Sequence, residues 1–90
     1  MIYQNKLPVW RSLLYVPVNV DRFVDKAHTR GADAVLLDLE DSIAPSEKAS
    51  ARKCVKAAAL KVGQAGADVA IRINRPWRMA IQDLEAAVIE

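Results

Sequence analysis

Apolar positions along this chain fall into compact blocks and into stripes at helical spacing, and the two kinds alternate three times. Ser12 to Val16 is a compact run halted by Pro17, the pattern of a buried parallel strand. Beyond it Val20, Phe23, Val24 and Ala27 keep i, i+3, i+4, i+7 spacing, which predicts a helix capped by Asn19 and stopped at Gly31. A second strand spans Ala34 to Leu39. A turn at Ser42 to Pro45 and a cap at Ser46 introduce a helix reaching about Val62, with Ala51, Val55, Ala58 and Val62 on one stripe and Gly63 closing it. A third strand lies near Val69 to Ile73. The last helical pattern begins after Trp77, places Ile81, Leu84 and Val88 on one face, and is still running at Glu90.

Strands and helices in this order imply parallel strands joined by right-handed crossovers, an α/β class. Side-chain parity narrows the architecture. In the second strand Val35, Leu37 and Leu39 share a face, opposite Ala34, Leu36, Asp38 and Glu40; in the third, Val69, Ile71 and Ile73 oppose Asp68, Ala70, Arg72 and Asn74. Each strand thus offers one apolar face to helices and another that turns polar toward its C-terminal end. A doubly wound sheet buries both faces and gives less reason for that asymmetry. A (β/α)8 TIM barrel, with helices outside and a catalytic mouth at the strand C-termini, accounts for it. Three strands do not close a barrel, so residues 1–90 read as the N-terminal three strand–helix units of a single TIM-barrel domain, incomplete in this chain.

Composition removes several classes. An apolar fraction of 52% is that of a globular chain, and no run approaches membrane-spanning length. A net charge of +2 built from scattered lysines and arginines, without a basic stripe, speaks against nucleic acid as a partner. One cysteine, Cys54, excludes an internal disulfide and fits a reducing compartment; its helical setting makes it a helix-face residue. The start, Met1 to Pro8, lacks a charged-then-apolar signal pattern. A cytoplasmic, soluble protein is expected.

The candidate chemistry clusters where the second strand ends. Asp38, Glu40 and Asp41 follow an apolar run directly, and charge beside a core is costly unless it finds a partner or a metal. Asp38 and Glu40 share the mouth face, where they would hold Arg72, accept a hydrogen bond from a metal-bound water, or shape a general base's surroundings. Asp41 has the opposite parity and begins the loop. The alternative is that these carboxylates satisfy backbone N–H groups of the Ser42 to Pro45 turn and form a structural ion pair. Arg72 offers paired planar donors suited to a substrate carboxylate, or to a salt bridge with Asp38 or Glu40. Tyr15 ends the first strand, and Arg22 and Lys26, four apart on the next helix, are placed either to meet a phosphate or to be solvated surface charge. His28 reads as structural, and Trp77 either roofs the mouth or packs beneath the next helix.

Three segments together resemble the citrate lyase β-subunit and malyl-CoA lyase family of the HpcH/HpaI aldolase superfamily. They are Arg11-Ser-Leu-Leu-Tyr-Val-Pro17, then Gly31-Ala-Asp-Ala-Val-Leu-Leu-Asp-Leu-Glu-Asp-Ser-Ile-Ala-Pro45 with Glu47-Lys48 and Ala51-Arg52, and Ile71-Arg-Ile-Asn74. The resemblance implies a TIM barrel that makes or breaks a carbon–carbon bond in a 3-hydroxyacyl thioester of the citryl or malyl type. It also implies magnesium (Mg2+), which withdraws charge from the reacting oxygen. On the same basis Arg72 binds the oxoacid or the thioester carbonyl, Tyr15 and Lys26 line the coenzyme A side, and Asp38, Glu40 and Asp41 support the metal site from around it. The direct metal ligands belong to later strands, so none is assigned here. Val18 stands where the family usually has glycine, and Val20 where it often has a coenzyme-contacting arginine, with Arg22 nearby.

The resemblance also implies partners: an acyl thioester, on coenzyme A or a carrier protein, and a homo-oligomer, trimeric or hexameric. The fragment by itself is expected to be inactive. Two other readings stay open, an acyl-CoA thioester hydrolase on the same barrel and a non-catalytic subunit that binds coenzyme A or a partner.

Overall fold

The computed structural model describes residues 9–88. The start of the chain through Pro8, read above as lacking a signal pattern, and the final two positions of the helical pattern expected to be still running at Glu90 lie outside them. The elements run β1 (Leu13–Pro17), α1 (Asp21–Lys26) with a 3-10 turn (Ala27–Thr29), β2 (Ala34–Asp38), a 3-10 turn (Pro45–Glu47) leading into α2 (Lys48–Val62), β3 (Asp68–Arg72) and α3 (Trp77–Ala87). The order β-α three times over is the one expected from the alternating patterns.

The strands form one parallel sheet in the order β1-β2-β3, with β2 in the centre. Their register is level: Leu13, Ala34 and Asp68 make one row, and Pro17, Asp38 and Arg72 make the last. Period-two alternation sends Val35, Leu37 and Leu39 to the helix side, where none is more than 1% exposed. They join Val16, Val18, Val24, Ala27, Ile43, Ala51, Val55, Ala58 and Val62 in one core. The α2 stripe anticipated from its spacing, Ala51, Val55, Ala58 and Val62, is the set that α2 buries. The opposite sheet face carries Tyr15, Leu36, Asp38 and Arg72, and Tyr15 is 53% exposed there.

Two glycines close helices for different reasons. Gly31 has φ 77°, in the left-handed region that costs a side chain strain. Gly63 has an ordinary φ of −90°, but a β-carbon there would lie 3.1 Å from Val69 Cγ2 and 3.2 Å from the Ala59 carbonyl. Absence of a side chain lets the end of α2 approach β3.

Several local expectations differ. Neither Asn19 nor Ser46 caps a helix by its side chain; the residues at those helix starts, Val20, Ala44 and Glu47, make no side-chain cap either. Asn19 instead donates from Nδ2 to Glu47 Oε1 at 3.3 Å, tying the β1 exit to the start of α2. Helix α3 ends at Ala87, one residue before the Val88 that its stripe includes, and Val88 is extended (φ −77°, ψ 102°). The stripe Ile81, Leu84 and Val88 does not face the core. These residues are half or more exposed, Trp77 is 84% exposed, and the only buried side chain of α3 is Asp83. Small Ala80, Ala86 and Ala87 are half-buried, so α3 turns its small-residue side inward as it packs on α2. No helix among the described residues is long and apolar enough to cross a membrane.

The burial difference predicts unequal responses to truncation. Leu37→Ala, at a fully buried site, should lower unfolding free energy in urea titration by about 2–5 kcal/mol. Leu84→Ala should change it by no more than about 0.5 kcal/mol. Equal losses at both sites would place the core wrongly.

Candidate functional site

The level register makes the site. Asp38 and Arg72 are partners in the last row of the sheet and have the same parity, so their side chains meet above the strand C-termini. Arg72 donates from Nε to Asp38 Oδ1 and from Nη2 to Asp38 Oδ2, both at 2.8 Å, a bidentate pair. The Glu40 carboxylate lies 3.5 Å from Arg72 Nε, and the Tyr15 ring faces the guanidinium with its centroid 5.1 Å from Cζ. Among the described residues Arg72 Nη1 has no hydrogen-bond partner, and the side chain remains 31% exposed.

Asp38 is buried, and its oxygens are fully engaged. Besides Arg72, the Glu40 amide donates to Oδ1 at 2.8 Å, and the Ser42 amide and hydroxyl donate to Oδ2 at 2.9 and 2.6 Å. For this residue the structural alternative therefore holds: it satisfies the turn's donors and forms an ion pair with arginine, the pair that places Arg72 at the mouth. Burial by itself would raise its pKa. The Arg72 and Ser42 side chains and the two amides outweigh burial and hold the carboxyl well below the usual carboxylate range. Arg72 is shifted upward, chiefly by its hydrogen bonds to Asp38 and against the effect of burial, with the charges of Asp38, Asp41 and Glu40 adding to the shift.

Behind this pair an open cleft at the strand ends is lined by Glu40, Asp41, Lys48, Asn74, Arg75, Pro76 and Met79. Asp41 is exposed at its rim. Tyr15 and Lys26 also line an apolar cleft of about 320 Å³ between β1 and α1 that Leu14, Val16, Pro17, Phe23, Ala27 and Arg30 complete. Arg22 does not line it; its guanidinium lies over the Phe23 ring, 4.9 Å from the centroid. Val18 points into the core at 1% exposure, away from the mouth. His28 Nδ1 pairs with Gln64 Nε2 at 3.3 Å, the structural placement expected of it. Cys54 Sγ donates to the Ser50 carbonyl at 3.5 Å within α2.

Residues outside the candidate set also build the mouth. Lys48 Nζ donates to the carbonyls of Leu39 at 3.1 Å and Glu40 at 2.8 Å, and Asn74 Nδ2 donates to the Leu39 carbonyl at 2.8 Å. Buried Asp83 accepts from Asn74 and Arg52. The available signal was the interruption of a small-residue helical face, Ala80 and Ala87, by a carboxylate. No three His, Cys, Asp or Glu side chains converge to hold a metal among the described residues, and the Asp38 oxygens are committed to other donors. These residues do not fit magnesium as its ligands.

The pair's contribution has a definite pH dependence. The folded carboxyl titrates below its unfolded value of about 3.9, so its stabilisation is whole above about pH 5 and is lost as pH falls toward the folded value. Asp38→Asn should therefore reduce stability by on the order of 1–3 kcal/mol at pH 7, with the gap to the parent protein closing below about pH 4. Urea midpoints of both proteins at pH 7 and pH 3 check this; a gap of constant size would remove the ionised pair from the account.

Residues 11–90 match the family described as HpcH/HpaI aldolase/citrate lyase. A (3S)-malyl-CoA thioesterase of Cereibacter sphaeroides is 38% identical over 80 residues, covering 86% of this chain and 27% of that relative. Citrate lyase subunit beta of Escherichia coli is 34% identical over 90 residues, 97% of this chain and 29% of that subunit. Its counterpart from Leuconostoc mesenteroides subsp. cremoris is 38% identical over 64 residues, 71% of this chain and 21% of that subunit. The chain spans under a third of the length of these relatives. Its three parallel strand–helix units are those expected at the start of such a barrel, and the chain belongs to the HpcH/HpaI aldolase/citrate lyase family.

Proposed function

We propose that the complete barrel opened by these units is a carbon–carbon lyase acting on a 3-hydroxyacyl thioester of the citryl or malyl type. The observation that carries this reading is Arg72: a guanidinium fixed by Asp38 at the strand mouth, with Nη1 unpartnered among the described residues and part of the side chain exposed. An oxoacid presents a planar carboxylate, and a rigid guanidinium edge matches it.

In the cleavage direction the bond between the hydroxyl-bearing carbon and the thioester's α-carbon breaks. Its electron pair passes to the thioester as an enolate, the hydroxyl loses its proton, and the new carbonyl belongs to the oxoacid. Protonation of the enolate at carbon completes the acetyl thioester. Arg72 holds the oxoacid carboxylate or the thioester carbonyl, while Tyr15 and Lys26 serve the thioester side. Glu40 and Asp41 form the acidic rim. Asp38 holds Arg72 in place; with its oxygens occupied and its basicity low, it is not the proton acceptor. Magnesium belongs to this proposal as an ion held by carboxylates outside these units. The thioester carrier is coenzyme A or a carrier protein, and the assembly is a homo-oligomer.

Hydrolysis is the second reading, favoured by the similarity to a (3S)-malyl-CoA thioesterase. Products separate the two. With malyl-CoA and magnesium the complete barrel should yield acetyl-CoA and oxoacid in equal amounts; free coenzyme A and malate would replace lysis by hydrolysis, and neither product would leave a non-catalytic binding subunit. In the active protein Arg72→Lys, which keeps the charge but loses the paired edge, should raise KM by roughly 10- to 100-fold. Unchanged kinetics would remove Arg72 from substrate binding.

A further inference from the structure

Among the described residues Asp83 is the buried carboxylate that the proposed chemistry does not use. It is 0% exposed and accepts from Arg52 Nε at 2.6 Å and from the Asn74 amide and Asn74 Nδ2, each at 2.7 Å. Asn74 Nδ2 also donates to the Leu39 carbonyl, to which Lys48 donates from α2. Leu39 lies between Asp38 and Glu40, and its own amide donates to the Arg72 carbonyl at 3.0 Å. One carboxylate on α3 thus gathers α2, the exit of β3 and, through Asn74, the exit of β2.

We propose that Asp83 is a positioning residue for the mouth, fixing the backbone on which Arg72 and Glu40 stand from the helix side of the sheet. A requirement for stability alone would be met as well by an apolar side chain, since a buried charge must recover its lost hydration from every partner it finds. What the carboxylate adds is direction. Its two oxygens take donors from two different elements, and Asn74 is oriented so that its amide reaches Leu39. The hydrogen bonds of Asp83 outweigh the effect of burial and lower its pKa, so it stays ionised alongside Arg52. Any consequence for turnover rests on the lyase reading above, whereas the placement of Arg72 does not.

The test therefore reads Arg72 itself. In the 15N-labelled protein, the Arg72 Nε–H resonance and its exchange with water are compared between the parent and Asp83→Asn, under conditions where both are folded. The substituted amide side chain offers one acceptor oxygen where three donors converge. The Arg72 signal should shift, and its exchange should quicken about tenfold, as the clamp loosens locally. A lower melting temperature with the Arg72 signal and exchange unmoved would overturn the proposal, leaving Asp83 a purely structural residue. Should Asp83→Asn not fold, Arg52→Lys decides: it keeps the charge and should move the Arg72 signal in part, and no movement overturns the proposal. A displaced Arg72 in a protein that proves not to be a lyase would sink the functional reading and leave the positioning intact.

Discussion

The mouth depends on the bidentate contact between Asp38 and Arg72, and that contact depends on parallel register. Asp38 is the last residue of β2, Arg72 the last of β3, and the two strands run level. A slip of one residue would turn Arg72 to the helix side and leave Asp38 buried with a partner missing. The acidic run after an apolar strand is tolerable only because Asp38 meets two donors from Arg72, two amides and a hydroxyl. Charge pairing and turn capping are one arrangement here, satisfied by the same two oxygens.

A second network works on the other side of the same backbone. Leu39 places its side chain in the core, gives its amide to the Arg72 carbonyl and its carbonyl to Asn74 and Lys48. The exits of β2 and β3 are therefore held by Asp38 and Arg72 toward the mouth and by Asn74, Asp83 and Arg52 toward the helices; Asn74 lies beyond the end of β3, so strand parity does not keep it on the Arg72 face as its sequence position suggests. Loops at strand ends are ordinarily the mobile part of such a fold. Here the first residues of those loops are fixed by buried, charge-assisted bonds, which is what positioned chemistry requires.

Parity and spacing made much of this legible. Alternation within two short runs placed Asp38 and Arg72 on one face, and the α2 stripe read from spacing is the buried one. The prediction failed where side-chain size, not polarity, decides. Helix α3 was oriented by Ile81, Leu84 and Val88, but close packing against α2 selects Ala80 and Ala87 and brings Asp83 inward to meet Arg52. Asn19 and Ser46 have the chemistry of caps, but Asn19 donates to Glu47 instead. Which acceptor a short polar side chain chooses is settled by tertiary distance, which no local pattern carries. The Asn74 and Lys48 bonds to Leu39 were hidden for the same reason.

Membership of a lyase family does not by itself assign a role to Arg72, since a fold hosts many chemistries. The asymmetry of its contacts weighs more. A purely structural ion pair gains most when every donor is matched, yet Arg72 spends Nε and Nη2 on Asp38 while Glu40 lies farther off, at 3.5 Å. Asp38, saturated by other donors, cannot turn to follow a ligand, so it orients the guanidinium without competing for its remaining edge. The guanidinium also sits over the Tyr15 ring, 5.1 Å from its centroid. Rigidity behind and, among the described residues, an unmatched edge in front are the features expected of an arginine that selects a planar anion, and they come from β1, β2 and β3 together, so the site is a property of the sheet's register and not of any single motif.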